Sequence, residues 1–147
     1  MKIKYSILVV LMSVSLLACE ESDVLQNGQN DGTPAGADDI VGTWSVFRYT
    51  DDGDNETSYF SNISFKFDQD GAFHLIRGSQ TIASGNWQLM DNDTEIDINV
   101  PALAGENESL GEELYEIHDD WRQRIDNEGR LILTDDDEQF ILLPQNN

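Results

Sequence analysis

From residue 43 almost to the C-terminus, apolar and polar residues alternate in short runs, and clusters of Asp, Asn and Gly cut one run from the next. A period of two puts every second side chain on one face of an extended chain, so each run predicts a strand with one buried face. The first covers 43–50 and stops at Asp51-Asp52-Gly53-Asp54-Asn55. The second, 59–67, alternates Ile63, Phe65 and Phe67 with Ser64 and Lys66 and stops at Asp68-Gln69-Asp70-Gly71. A third over 72–77 turns at Gly78-Ser79 into a fourth over 81–90, and Asp91-Asn92-Asp93 leads to a fifth over 95–100. Pro101 has no N–H to give a ladder and ends that strand.

Between 102 and 118 the alternation fails. Ser109-Leu110-Gly111-Glu112 has the form of a helix capping box, and Leu110, Leu114 and Ile117 fall on one helical stripe, which predicts a short helix. Period two returns at Trp121, Gln123 and Ile125, turns at Asn127-Glu128-Gly129, continues over 130–134, and ends with a strand over 139–143 after Asp135-Asp136-Asp137. Eight short strands with tight connections predict an all-β fold, an antiparallel up-and-down meander with one short helix between strands five and six. Closure into a barrel is favoured over an open sandwich because it removes the exposed edges.

The alternation also sorts the side chains. With Trp44 inward, Val46 and Arg48 share its side, and Phe65, Phe67, Phe73, Leu75, Trp87, Ile98, Trp121, Ile125, Leu133, Phe140 and Leu142 face in. Arg48, Arg77 and Gln123 are the polar members of that inner set. A ligand inside would meet Phe65, Phe67, Trp87 and Trp121, with Arg48 or Arg77 placed to hold an anionic head group. The plainer reading pairs each arginine with one of the many carboxylates.

Ahead of the strands the chain changes character twice. Lys2 and Lys4 precede an apolar run over 7–17, too short to span a bilayer as a helix, which reads as a secretory signal. It ends in Leu16-Leu17-Ala18-Cys19, which resembles the bacterial lipobox, and Cys19 is the single cysteine of the chain. The resemblance implies diacylglycerol transfer to the Cys19 thiol, cleavage before it and acylation of the new amine. Acyl chains worth about 0.8 kcal/mol per buried methylene then anchor the protein stably when two or three are present. Residues 20–38 are polar, acidic and dotted with Gly, Pro and Ala; they bury too little to offset the entropy of ordering and read as a tether reaching about 25 Å. The division is thus a signal over 1–18, a tether over 19–38 and a β domain over 39–147. Glu20-Glu21-Ser22-Asp23 resembles the acidic export signal that follows the lipidated cysteine in Bacteroidota, and the plainer reading is an acidic linker. The outer membrane is the expected location, with either face open.

The chain carries 29 Asp and Glu against 8 Lys and Arg, a formal charge of −21 in 147 residues, made more negative still when Lys2 and Lys4 leave with the signal. Such a field argues against nucleic acid and against binding to anionic lipid through the protein surface. A lone cysteine excludes an internal disulfide and a thiolate metal cluster. The acidic turns at 51–56 and 68–71 do not have the spacing of a calcium-binding EF-hand loop and read as solvated hairpin turns, so no metal and no cofactor is expected. His74 and His118 stand without a nucleophile pattern, and no catalytic residues are expected, although a Ser-His-Asp set is assembled by a fold rather than by spacing.

Gly42-Thr43-Trp44 at the first strand, the Asp70-Gly71 turn after the second, Gly85-Asn86-Trp87 in the fourth and Asp119-Asp120-Trp121 opening the sixth, together with the lipobox, resemble the lipocalin-like lipoproteins of Bacteroidota. The Thr-Asp-Tyr turn of true lipocalins is absent. The resemblance implies a barrel whose closed end is plugged by Trp44. It implies a monomeric, non-catalytic envelope binding protein: a carrier of a small apolar or amphipathic ligand, or a packed barrel that binds an envelope protein or glycan.

Overall fold

The structure, a computed structural model, describes residues 32–103 and 112–145; the signal segment, Cys19 and the Ser109-Leu110-Gly111 cap lie outside them. The described strands are β1 (Gly42–Asp51), β2 (Asp54–Asn55), β3 (Ile63–Phe67), β4 (Ala72–Arg77), β5 (Gln80–Met90), β6 (Glu95–Asn99), β7 (Asp120–Ile125), β8 (Leu131–Asp135) and β9 (Glu138–Pro144). Each long strand pairs antiparallel with the next, and β1 pairs with β9 over Trp44↔Pro144 to Thr50↔Gln139, which closes an eight-stranded barrel. The two-residue β2 is an added hairpin arm on the far end of β1. Turn chemistry does what the Asp and Asn clusters require: Asp52, Asn62, Asp91, Asn92, Asp93 and Asp136 take positive φ, which these short polar side chains tolerate better than others. The two motif glycines have separate reasons. Gly42 sits at φ 149°, closed to L side chains, and a Cβ on Gly85 would lie 2.0 Å from the Asn99 carbonyl oxygen.

The first strand departs from simple alternation. Val46 pairs with Leu142 and Arg48 with Ile141, so Phe47 is one residue too many and forms a bulge. Beyond it every side chain changes face. Arg48, expected inside, is exposed, and Tyr49 is buried in its place. Arg77, at the end of β4, is exposed as well. Gln123 does point inward and is buried.

Three pieces around the barrel differ from the sequence expectation. The start of the second strand is instead a 3-10 turn over Thr57–Phe60, because Thr57 Oγ1 takes the N–H of Tyr49 at 2.9 Å and donates to the Tyr49 carbonyl, replacing a strand partner with a side chain. The segment between the fifth and sixth long strands carries a 3-10 turn, Glu112–Ile117, rather than an α-helix; Leu114 and Ile117 are buried against the core. The tether ends earlier than composition suggests. Thr33 bridges to Ile125, Gln123 Oε1 accepts from the Ala35 N–H at 3.0 Å, Gln123 Nε2 donates to the Ala35 carbonyl at 2.9 Å, and α1 (Ala37–Ile40) follows. A polar segment that cannot form a core of its own is held here by hydrogen bonds to a buried amide, information that composition does not carry.

The core lies inside the barrel and is mostly aromatic. Ring contacts run without a break from Trp87 to Phe67 (5.6 Å between centroids), Phe73 (5.1 Å), Phe65 (5.8 Å), Phe140 (5.4 Å) and Tyr49 (4.3 Å), with Phe60 and Trp121 also on Phe140. All but one of these pairs are edge-on, the arrangement that ring quadrupoles favour.

Candidate functional site

The barrel has a floor and a mouth. At the floor, Trp44 Nε1 donates to the Ile40 carbonyl at 2.8 Å, which ties α1 beneath β1. The cleft beside it, about 350 Å³, lies between Pro34, Ala35 and Trp44 on one side and the β7–β8 turn on the other. That turn is pinned by Asp126. Burial pushes its carboxyl up, but the N–H groups of Arg130 and Glu128 and the Arg130 guanidinium at 2.6 Å outweigh this and hold it below the usual carboxylate range.

At the mouth, Tyr49 and Glu138 meet under the 3-10 turn that carries Glu116. The Tyr49 hydroxyl donates to Glu138 Oε1 at 3.1 Å. Burial first, then the Glu116 carboxyl and Asp51, push Glu138 up to about 8 against the opposing pull of that hydroxyl. Burial and Glu138 in turn push the Tyr49 hydroxyl above its usual range. On the rim above, Asp51, Asp52 and Asp137 bring one oxygen each to within 4.8 Å of one another. Asp52 is raised by its hydrogen bond to Asp137 and by the neighbouring charges. Three oxygens are half or fewer of the six to eight that calcium takes, and no local pattern in the chain marks that these two turns meet.

On the outer face of β3, β4 and β5 the fold assembles a row that spacing could not show. His74 Nδ1 lies 2.8 Å from Ser84 Oγ, and His74 Nε2 lies 3.2 Å from Asp68 Oδ2. This is the order of a nucleophile, a base and an orienting acid. Lys66 competes for the acid at 2.7 Å and, with His74, holds Asp68 below the usual carboxylate range. His74 and Ser84 are cross-strand partners on the outer sheet face, Asp68 follows the end of β3, and none of the three lines the floor cleft or the cleft between β1 and β3.

The side cleft, about 370 Å³, opens where β1 and β3 part. Their pairing stops at Ser45↔Ser64; beyond it β1 runs with β9 and β2, and β3 with β4. Phe60 closes the gap from inside, buried on Tyr49 and Phe140.

The residues singled out from sequence therefore separate. Phe65, Phe67, Trp87 and Trp121 are buried in the interior, and Trp87 Nε1 donates to the Asp68 carbonyl at 2.9 Å. Arg48 and Arg77 are not brought to them. His118 Nδ1 accepts from the Val100 N–H at 3.0 Å and braces the chain past β6. Tyr49, Glu138 and Phe60 escaped the sequence reading because the bulge and the 3-10 turn that place them have no periodic signal.

The barrel is lipocalin-like. A lipocalin-like protein from Bacteroides uniformis superposes with a TM-score of 0.55 at 18% identity, over 73% of this chain and 99% of that one. An uncharacterized protein from Bacteroides eggerthii gives 0.51 at 18%, over 72% and 99%. A DUF4847 family protein from Bacteroides vulgatus gives 0.51 at 15%, over 73% and 94%. No protein-family model and no curated protein matches the sequence. At these identities the lipocalin-like likeness is one of fold.

Proposed function

We propose that this protein is a lipid-anchored, non-catalytic binding protein of the bacterial outer membrane that recognises its partner with the outside of a packed barrel. The observation that carries the reading is the unbroken line of buried rings from Trp87 to Tyr49, which occupies the volume a carried ligand would need. The exposure of Arg48 and Arg77 supports it, because the cations expected to hold a ligand's head group inside are on the surface. Anchoring rests on Cys19 at the end of the lipobox.

Two measurements test the proposal. Native mass spectrometry of protein purified from its own host should show the bare chain with its lipid anchor, and a fluorescent fatty acid should show no saturable binding. A stoichiometric apolar adduct would establish the carrier reading instead. Labelled fatty acid should be incorporated by the wild type and not by Cys19→Ala; equal labelling would remove the anchor.

A further inference from the structure

We infer that the cleft between β1 and β3 binds an uncharged, polyhydroxylated ligand, a saccharide unit taken from outside the barrel wall. The inference rests on the reading of outward recognition and gives it a place and a ligand class. It begins with the chemistry of the lining. The chain has 29 acidic and 8 basic residues, yet no Asp, Glu, Lys, Arg or His lines this cleft. Its polar groups are the hydroxyls of Ser45, Thr57, Ser61 and Ser64 and the amides of Asn62 and Gln145. A site without charge has little to offer an ion and suits a neutral hydrogen-bonding partner.

The bonding capacity is uneven in an informative way. Thr57 is committed to Tyr49 and Asn55. Ser61 donates to the Ser58 carbonyl at 2.8 Å and keeps lone pairs to accept with. Gln145 Nε2 donates to Ser64 Oγ at 2.8 Å, leaving Gln145 Oε1 as an acceptor and the Ser64 hydroxyl proton as a donor. Asn62 is exposed, and among the described residues no hydrogen bond of its side-chain amide is found. The lining thus offers both donors and acceptors, which suits sugar hydroxyls that each donate one bond and accept others.

The remaining surface is apolar where a sugar ring is apolar. Val46, Phe60 and Ile63, with Gly78, form the rest of the lining, and the volume lies in the range of small-molecule sites. Phe47 (55% exposed) and Tyr59 (50%) are next in the chain to Val46 and Phe60, and they are the two most exposed large apolar residues described. Neither lines the cleft itself, where Val46, Phe60 and Ile63 are the apolar surface for the C–H faces of a sugar. The bulge that turns Arg48 away from the interior is the same feature that projects Phe47.

The test is saturation-transfer NMR on the full chain in detergent micelles. Glucose, galactose, mannose, N-acetylglucosamine and disaccharides of each are presented at about 10 mM, enough to occupy a millimolar site. The paired variant is Asn62→Gly with Gln145→Ala. Glycine suits the Asn62 backbone, which sits at φ 63°, so the amide is lost while the turn is kept. Unchanged melting of the variant certifies its fold. At least one sugar should show transfer with the wild type and bind the variant about tenfold or more weakly, the loss expected for two hydrogen-bonding groups. Absence of transfer across the panel overturns the site and leaves outward recognition standing. Transfer undiminished in the variant moves the sugar elsewhere and overturns the cleft. An apolar ligand found inside the barrel overturns the reading beneath both.

Discussion

Tyr49 and Glu138 share a hydrogen bond across the seam that closes the barrel, with Glu116 above it. Burial and the Glu116 carboxyl disfavour the charged form of Glu138, and the hydroxyl only partly offsets them. A carboxyl raised from 4.5 to about 8 on folding binds its proton more tightly in the folded state, so its contribution is whole below 4.5 and is lost as pH rises toward 8. Asp68 and Asp126 act oppositely: both are lowered, and their contribution is lost as pH falls through the carboxylate range. We expect the melting temperature of the wild type to fall from mildly acidic to mildly alkaline pH, and Glu138→Gln to flatten that slope while leaving the acid limb unchanged. Parallel wild-type and variant curves would show that Glu138 is not the titrating group.

Trp44 joins β1, α1 and the floor through one indole. Truncation to alanine should cost about 3 to 5 kcal/mol, from the lost burial and the cavity left behind. Trp44→Phe keeps most of the bulk and removes the bond to Ile40, so it should cost about 1 to 3 kcal/mol, the price of leaving that buried carbonyl unpaired. Chemical denaturation measures both. Equal losses would mean that the hydrogen bond, not the packing, holds the floor.

Gly85 has no room for a side chain. Gly85→Ala should separate β5 from the chain just past β6 and destabilise by about 1 to 3 kcal/mol or more, since the obstacle is the backbone at Asn99 and Val100 rather than a side chain that can rotate away. Hydrogen exchange should locate the loss at Trp87 to Leu89. A variant as stable as wild type would place the two strands further apart than described.

The row Ser84-His74-Asp68 offers a direct check on the proposal that the protein is non-catalytic. Hydrolysis of an activated ester should proceed at the same rate with wild type and Ser84→Ala, because Lys66 competes with His74 for the Asp68 carboxylate that would orient the base. A clear drop in the variant would make this row an active site.

The barrel was legible because its signal is local. Ile63, Phe65 and Phe67 against Ser64 and Lys66, or Ile96 and Ile98 against Asp97, declare both strand and face in a few residues, and eight such runs leave few ways to close a sheet. The placement of Arg48 was not legible, since nothing in Ser45-Val46-Phe47-Arg48 marks which residue the ladder will skip. The Ser84-His74-Asp68 row and the Asp51-Asp52-Asp137 group were hidden for a different reason: each exists only through pairing between strands or turns distant in sequence. The side cleft is a departure of two strands from each other, and local pattern says where strands run, not where they part.

The extra residue at Phe47 sets unequal rules for lengthening and shortening this chain. In the turns at 78–79 or 127–129, a gained or lost residue is taken up in the turn and the cleft wall it forms, and the flanking strands keep their faces. Between 45 and 48 it would act on the rest of β1 as a shifted reading frame acts on a message. Loss of one residue would send Arg48 in among the rings and Tyr49 out into water, stripping Glu138 of its hydroxyl partner and Phe60 and Phe140 of a neighbour. Descendants of this sequence can vary the composition of that stretch widely, but its length is locked to the identity of every inward residue up to Asp51.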